Sequence, residues 1–163
     1  DIMYGEEEFE NFELYLEWKI PKGGNSGIYY HIKEGYGGFT DMAPEYQLLD
    51  DENYAEIHDY ELKDWQLTAA DYAMHVPDTT QKVLYPPGQW NSSRIIFTPN
   101  NVEHWLNDKK VLSFIPWTEQ WYEKRNSGKW DNFPDYGKYK KGYIGLQDHG
   151  SNLWFRNIKI KKL

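Results

Sequence analysis

Alternation of apolar and polar residues is the feature that most constrains the fold of this chain. Residues 12–20, FELYLEWKI, place five apolar side chains at every second position: Phe12, Leu14, Leu16, Trp18 and Ile20. Successive side chains of a β-strand point to opposite faces, so this pattern predicts a strand with one buried face. Comparable segments recur as far as the C-terminus, and Gly, Pro and Asn residues that favour turns separate them.

The pattern predicts an all-β fold, a β-sandwich of two antiparallel sheets with one short helix. About nine or ten segments are typical of strands, whereas only residues 118–128 are typical of a helix. In that segment Thr118 suits the N-cap, Lys124 and Arg125 suit the last turn, and Gly128 suits the position after it. We expect these side chains to be buried: Phe12, Leu14, Ile28, Leu48, Ile96, Leu106, Ile144, Leu146 and Ile158.

With 163 residues and no internal repeat or linker, residues 1–163 are predicted to form a single domain. The chain starts at Asp1 without a signal peptide, and we expect it to be truncated at its N-terminus. Two polar segments, residues 33–43 and 50–64, are long for loops of a compact domain, which is typical of functional or mobile loops.

Composition disfavours several functions. The formal net charge is -8 with no dense basic stripe, which disfavours nucleic acid as a partner. The absence of cysteine excludes disulfides and thiolate sites, and no apolar run reaches the about 20 residues that span a bilayer. Aromatic residues make up 18% of the chain and suit a core, an interface or a surface that stacks on sugars. Candidates for stacking are Tyr30, Tyr36, Trp117 and Trp130.

Two strands carry polar side chains where a plain surface strand would carry Thr, Lys or Glu. Residues 142–150, GYIGLQDHG, place Gln147 and His149 on the same face as Gly145, and the segment 44–50 places Glu45 and Gln47 on one face. We expect these four polar side chains to converge on the open face of one sheet, where Gly145 leaves room for a ligand. The alternative is a solvated sheet surface.

Two further residues of the C-terminal hairpin allow two interpretations. Asp148 and Arg156 either form a structural ion pair across the hairpin or contact a ligand, and the sequence favours neither.

Three segments in combination, GNSGI, EYQ-x-x-D and G-x-I-x-LQDHG followed by FRNIKI, resemble the 3-keto-disaccharide hydrolase domain over almost the whole chain. The resemblance implies a concanavalin A-like lectin/glucanase jelly roll with a groove on its concave sheet, and cleavage of glycosides already oxidised to a ketone at carbon 3. It also implies an exported protein of Bacteroidetes or related bacteria, whether periplasmic, outer-membrane lipoprotein or extracellular. The family's recurrent polar positions fall on Asn25, Glu45, Gln47, Gln147, Asp148, His149 and Arg156.

The related laminarinase-type glucanases carry a strand of the form Glu-x-Asp-x-x-Glu, whereas this chain has Glu45, Gln47 and Asp50. Retaining hydrolysis uses two carboxyl groups about 5 to 5.5 Å apart, and Asp50 lies at an odd offset from Glu45. Elimination from a 3-keto sugar needs only one base, an acid and donors to an enolate. We expect His149 or Glu45 to serve as base or acid, with the assignment between them open.

The remaining polar positions are expected to bind the sugar: Asn25, Gln47, Gln147, Asp148 and Arg156. A divalent metal could polarise the ketone, although the sequence offers no clear ligand set. Two other functions compete with catalysis: a non-catalytic, lectin-like carbohydrate-binding domain, and a structural or interaction domain within a larger assembly.

Overall fold

Two antiparallel sheets pack face to face in the computed structural model, which describes residues 1–163. Sheet A has the strand order β1-β8-β3-β4, with β1 Ile2–Phe9, β8 Gly142–Leu146, β3 Asn25–Ile32 and β4 Glu45–Leu49. Sheet B has the order β7-β6-β5-β2-β9, with β7 Lys109–Phe114, β6 Asn101–Leu106, β5 Asn91–Thr98, β2 Phe12–Lys19 and β9 Trp154–Lys162. Strands make up 40% and helices 11% of the chain, which confirms the predicted β-sandwich.

Burial follows the predicted alternation in the core between the sheets. Strand β2 alternates strictly between buried and partly exposed residues. Leu146 packs against the core but stays partly exposed. Six of the other expected core residues are buried: Phe12, Leu14, Ile28, Leu48, Leu106 and Ile144. Two predictions are wrong. Ile95 is buried in place of Ile96, because Ile95 is the residue of β5 that pairs with Leu14.

The other wrong prediction is Ile158, on β9 at the edge of sheet B. The pairing of β9 with β2 shifts register between Tyr15 and Glu17, beside Asn157, which has φ 52°. Ile158 lies two residues before Ile160 and shares its face, and both line an apolar cleft at the edge of the sandwich. Ile160 packs against the core, whereas Ile158 is 54% exposed because β9 is an edge strand.

The predicted helix is α2, Glu119–Arg125, and the hydroxyl of Thr118 accepts a hydrogen bond from the Trp121 amide at 3.2 Å. Trp121 packs with Trp130 and Tyr136 in a small aromatic cluster, which brings the loop 126–141 back against the sandwich. The sequence did not predict two elements, β1 and the single-turn helix α1, Tyr54–His58, within the polar segment 50–64. Residues 64–74, which alternate like a strand, form only a short 3₁₀ turn and isolated bridges.

The outer face of sheet A, which points away from sheet B, divides into two halves along β3 and β8. One half, which we call the aromatic half, is covered by residues 33–43 and contains Tyr29, Ile32, Phe39, Met42, Tyr139 and Tyr143. The other, the polar half, contains Asn25, Glu45, Gln47, Gln147 and His149. Among the helices, none is long and apolar enough to cross a bilayer.

Candidate functional site

The polar half of sheet A forms an open pocket of about 130 Å³. Its lining comes from strands β3 and β4, from the segment that follows β8 and from three other segments between strands: Asn25, Thr40, Glu45, Gln47, Tyr72, Lys129, Gln147 and His149. The structure thus brings together the four side chains expected to converge, with Asn25 beside them. Their catalytic and binding roles stay predictions, because only their positions are established here.

Glu45 is the buried acid of this pocket, with 3% of its surface exposed. Burial raises the pKa of its carboxyl group from 4.5 to about 7, and the Tyr29 hydroxyl and the Lys129 charge only partly offset this. Burial disfavours the charged form of a carboxyl group, and a pKa near neutrality suits a group that takes up and releases protons.

Gly27 makes the position of Glu45 possible. A Cβ atom on Gly27 would lie 2.1 Å from Oε1 of Glu45, so the carboxyl group occupies the space that a side chain on β3 would fill. Gly27 pairs with Gln47, two residues along β4 from Glu45. The motif GNSGI therefore contributes an empty position across which the acid lies.

Gln147 is held beside the same acid through a tyrosine. Its Nε2 donates a hydrogen bond to the Tyr29 hydroxyl at 2.7 Å, and Tyr29 pairs with Glu45 across β3 and β4. Burial raises the pKa of Tyr29, so this hydroxyl stays protonated. The contact fixes the Gln147 amide at the wall of the pocket.

Two further amides point polar atoms into the pocket. Gln47 is buried, and its Oε1 accepts a hydrogen bond from the Leu48 amide at 3.1 Å, which leaves Nε2 as the donor at the pocket. Nδ2 of Asn25 donates to the Tyr54 hydroxyl at 3.4 Å, whereas its buried Oδ1 has no partner in the protein. Buried acceptors are usually satisfied, so the unpaired Oδ1 of Asn25 is an exception beside the pocket.

His149 lies just beyond the end of β8, exposed at the rim of the pocket. His149 therefore points away from the interior of the sandwich, and this position is the one that the sequence predicted. Glu45 and His149 differ sharply in their environment, one enclosed in protein and the other in contact with solvent.

Sequence reasoning missed three lining residues, Thr40, Tyr72 and Lys129. The ammonium group of Lys129 lies 4.3 Å from the centre of the Tyr72 ring and 4.8 Å from that of Trp130. The side chain of Lys129 is exposed, and partial desolvation of its ammonium group lowers its pKa. No local pattern marks Lys129, because its position depends on how the loop after α2 folds back.

Two residues predicted for the site lie elsewhere. Asp148 is exposed in a neighbouring cleft, where its Oδ1 accepts a hydrogen bond from the Gly150 amide at 2.9 Å. Arg156 is on β9 of the opposite sheet, where its Nε donates to Oε2 of Glu17 at 2.5 Å. The prediction of a groove position for Arg156 is therefore corrected, and the two residues form no ion pair with each other.

The aromatic candidates for sugar stacking do not line the pocket. Tyr30 and Trp130 are buried, and Trp117 packs against the core with its Nε1 donating to the Gly137 carbonyl at 2.7 Å. The Tyr36 hydroxyl donates to Oδ2 of Asp135 at 2.9 Å beside the aromatic half. The prediction that Gly145 leaves room for a ligand is wrong. Ile32 and Phe39 already fill its open side, so it does not make room for a ligand.

Glu45 is the one carboxylate that lines the pocket. Asp50 is buried away from it, where Oδ2 accepts from the Gly23 amide at 2.8 Å and Oδ1 from Nδ2 of Asn53 at 3.0 Å. Asp50 thus anchors two loops. His, Asp and Glu side chains nowhere gather in a group of three that could hold a metal ion.

Three larger clefts lie outside the polar half of sheet A. One, of about 350 Å³, contains Asp50, Asp51 and Lys82, and a second, of about 520 Å³, contains Asp148. The third, of about 280 Å³, is lined by hydrophobic residues alone. An acid with a perturbed pKa inside a pocket marks a candidate functional site, and the carboxyl group with the raised pKa is that of Glu45. The smaller pocket is therefore the candidate active site.

Comparison with known proteins adds an independent line of evidence. The sequence profile of the 3-keto-alpha-glucoside-1,2-lyase-like domain matches residues 1–161. The chain belongs to this family. A 3-keto-disaccharide hydrolase of Bacteroides thetaiotaomicron is 37% identical over 177 residues, which cover 96% of this chain. The chain spans 60% of the length of that relative.

Solved structures agree with this family assignment. A predicted glycosyl hydrolase of Parabacteroides distasonis superposes with a TM-score of 0.89 at 47% identity, covering 97% of this chain and 72% of that one. A second one from the same species gives a TM-score of 0.71 at 28% identity, covering 96% and 80%. The carbohydrate-binding module CBM66 of Bacillus subtilis shares the fold, with a TM-score of 0.57 at 10% identity. The superposition covers 96% of this chain and 78% of that one.

Proposed function

We propose that this chain cleaves glycosides whose sugar carries a ketone at carbon 3, by base-assisted elimination followed by hydration. The observation that carries the proposal is Glu45, a single buried carboxyl group with a pKa of about 7 in a pocket otherwise lined by amides, hydroxyls and two basic groups. The family and its named hydrolase members support glycoside cleavage as the reaction class.

The ketone makes the reaction possible with one carboxylate. It acidifies the proton on carbon 2, which Glu45 removes, and the electron pair moves onto the ketone oxygen as an enolate. When the electrons return, the bond between carbon 1 and the glycosidic oxygen breaks, and a proton from an acid completes the alcohol. Water then adds across the carbon 1–carbon 2 double bond and gives the free 3-keto sugar.

The contrasting environments of Glu45 and His149 support a division of the base and acid roles between them. Glu45 is enclosed and its pKa lies near 7, so it serves as the base. His149 lies at the open rim, where the leaving group would face solvent, and it protonates the departing oxygen. Pairs of groups with contrasting environments commonly divide acid and base work in this way.

The three amides bind the sugar. Nε2 of Gln47 supplies a donor, and Asn25 and the fixed Gln147 amide complete the wall. Ordinary retaining hydrolysis would need a second carboxyl group about 5 to 5.5 Å from Glu45. The pocket lining contains no second carboxylate, which favours elimination.

The test is a panel of 3-keto-glucosides, each paired with the same glucoside before oxidation, with released aglycone followed by mass spectrometry. We expect release from the 3-keto members only, with deuterium incorporated at carbon 2 when the reaction runs in heavy water. Equal turnover of the plain glucosides would overturn the elimination mechanism. Binding of either series without turnover would instead indicate a lectin-like domain.

Export to the periplasm, the outer membrane or the medium stays part of the proposal. It rests on the family resemblance, and fractionation of cells that express the full-length protein would test it.

A further inference from the structure

An enolate places a negative charge on the oxygen at carbon 3, and the pocket must stabilise that charge. Amide donors contribute, and a positioned cation adds a full opposite charge beside the enolate oxygen. Arg156, which was expected to bind the sugar, lies on the opposite sheet. Lys129 is the one Lys or Arg side chain that lines the pocket.

The surroundings of Lys129 hold its ammonium group without neutralising it. The rings of Tyr72 and Trp130 lie within 5 Å of it, at 4.3 and 4.8 Å, and both are pocket or cluster residues with fixed positions. Lys129 forms no salt bridge, whereas eight other basic side chains do. A cation over aromatic faces keeps its charge and its hydrogen-bond donors available.

Lys129 and Glu45 act on each other electrostatically across the pocket. The charge of Lys129 lowers the pKa of Glu45, and Glu45 in turn raises that of Lys129, although the two groups are not within salt-bridge distance. A substrate ring placed between them would therefore meet a base on one side and a cation on the other.

We propose that Lys129 is a catalytic residue that donates a hydrogen bond to the ketone oxygen at carbon 3 and stabilises the enolate. The proposal rests on the function proposed above. Glu45 takes the proton from carbon 2, the charge moves to the oxygen beside Lys129, and Lys129 keeps its own proton throughout. The charge returns to carbon when the glycosidic oxygen leaves with a proton from His149.

The experiment compares Lys129→Met, which removes the charge and keeps the stem length, with Lys129→Arg, which keeps the charge. The matched control is Lys140→Met, since Lys140 also lies over a ring, 4.9 Å from the centre of Trp117, but outside the pocket. For each variant, kcat and KM on a 3-keto-glucoside, proton exchange at carbon 2 and the melting temperature are measured.

We expect Lys129→Met to lower kcat and the exchange rate about 100- to 1000-fold with KM changed only a few-fold, the loss typical of a removed oxyanion donor. Lys129→Arg should recover part of the exchange, and Lys140→Met should behave like the unchanged protein. The melting temperature of Lys129→Met should stay within a few degrees of the unchanged protein.

Several results would overturn the proposal. If the unchanged protein is active and Lys129→Met exchanges the proton equally fast, Lys129 is not catalytic. Activity lost in both variants together with a lowered melting temperature would indicate a structural role. Borohydride trapping of substrate on Lys129 would replace the ionic role with a covalent one. An unchanged protein inert on every 3-keto substrate would reject the proposed function itself.

Discussion

The aromatic half and the polar half of sheet A are built on the same two strands, β3 and β8, yet they differ in what covers them. In the aromatic half, the ring of Phe39 fills the space left by Gly145. In the polar half, the carboxyl group of Glu45 fills the space left by Gly27. Each glycine marks a close approach to the sheet, but one seats an apolar ring and the other an acid.

The comparison shows what an outward-facing glycine on a strand can and cannot indicate. It indicates that another group lies against the backbone there. It does not indicate whether that group comes from the chain or from a ligand. Only the neighbouring residues decide, which are Ile32 and Tyr143 around Gly145 and Gln47 and Gln147 around Gly27.

Removal of the Glu45 carboxylate should reduce the activity of the polar half more than any other change. We expect Glu45→Gln to lower kcat/KM on a 3-keto-glucoside about 1000- to 10,000-fold, the upper range for a lost general base. The amide keeps the shape of the side chain, so binding of a product analogue should persist. Activity within tenfold of the unchanged protein would show that another residue serves as the base.

Loss of the imidazole at the rim should have the next largest effect. We expect His149→Ala to lower kcat about 100- to 1000-fold, because the departing oxygen loses its acid. The melting temperature should hardly change, because His149 is exposed. The loss should shrink for substrates with a good leaving group such as nitrophenol, and an equal loss for all leaving groups would contradict the assignment.

The buried charge of Glu45 should make stability depend on pH. The pKa of Glu45 is about 7 in the folded protein and 4.5 when the side chain is solvated, as in the unfolded chain. Between these pH values the folded state therefore binds the proton more tightly than the unfolded state does. The unfolding free energy contributed by this group therefore falls as pH rises from 4.5 to 7, by on the order of 3 kcal/mol. The measurement is denaturant unfolding of the unchanged protein and of Glu45→Gln at pH 4.5 and 8. We expect the unfolding free energy of the unchanged protein to fall more between these pH values than that of Glu45→Gln. An equal fall in both proteins would show that Glu45 is solvated.

A methyl group on each glycine should sharpen the contrast between the halves. We expect Gly27→Ala to push the Glu45 carboxyl group aside and lower kcat about 100-fold, since small misplacements of catalytic groups are costly. Gly5→Ala, on the exposed part of β1 with its nearest contact at 3.8 Å, is the matched control. Unchanged activity of Gly27→Ala would mean that the position of Glu45 is not critical.

Gly145→Ala should have the opposite signature. Its Cβ would meet Cδ1 of Ile32 at 2.6 Å and Cε2 of Phe39 at 2.8 Å, so the aromatic half must shift. We expect the unfolding free energy to fall by about 1 to 3 kcal/mol, the usual cost of overpacking, with kcat within a few-fold. Chemical denaturation and a single activity assay test both parts, and a stable but inactive variant would contradict the division.

Alternation predicted the strands and the face of each site residue because period two is local to a strand. It could not show which sheet a strand joins, so nothing in the pattern contradicted the groove position that the family resemblance implied for Arg156. It also failed at Ile158, which lies on the edge strand of sheet B and stays exposed there. Strand β1 was missed because its acidic run hides the alternation, and Lys129 was missed because a loop brings it to the pocket.

The cover that residues 33–43 form over the aromatic half has a consequence for the shape of the substrate. Thr40 of this cover borders the pocket, and Phe39 lies against the sheet beyond it. A long glycan lying along the sheet would collide with this cover, so the pocket is closed on the side of the aromatic half. We expect sugars to enter by their terminus, and a polymer to be shortened one unit at a time without internal cuts.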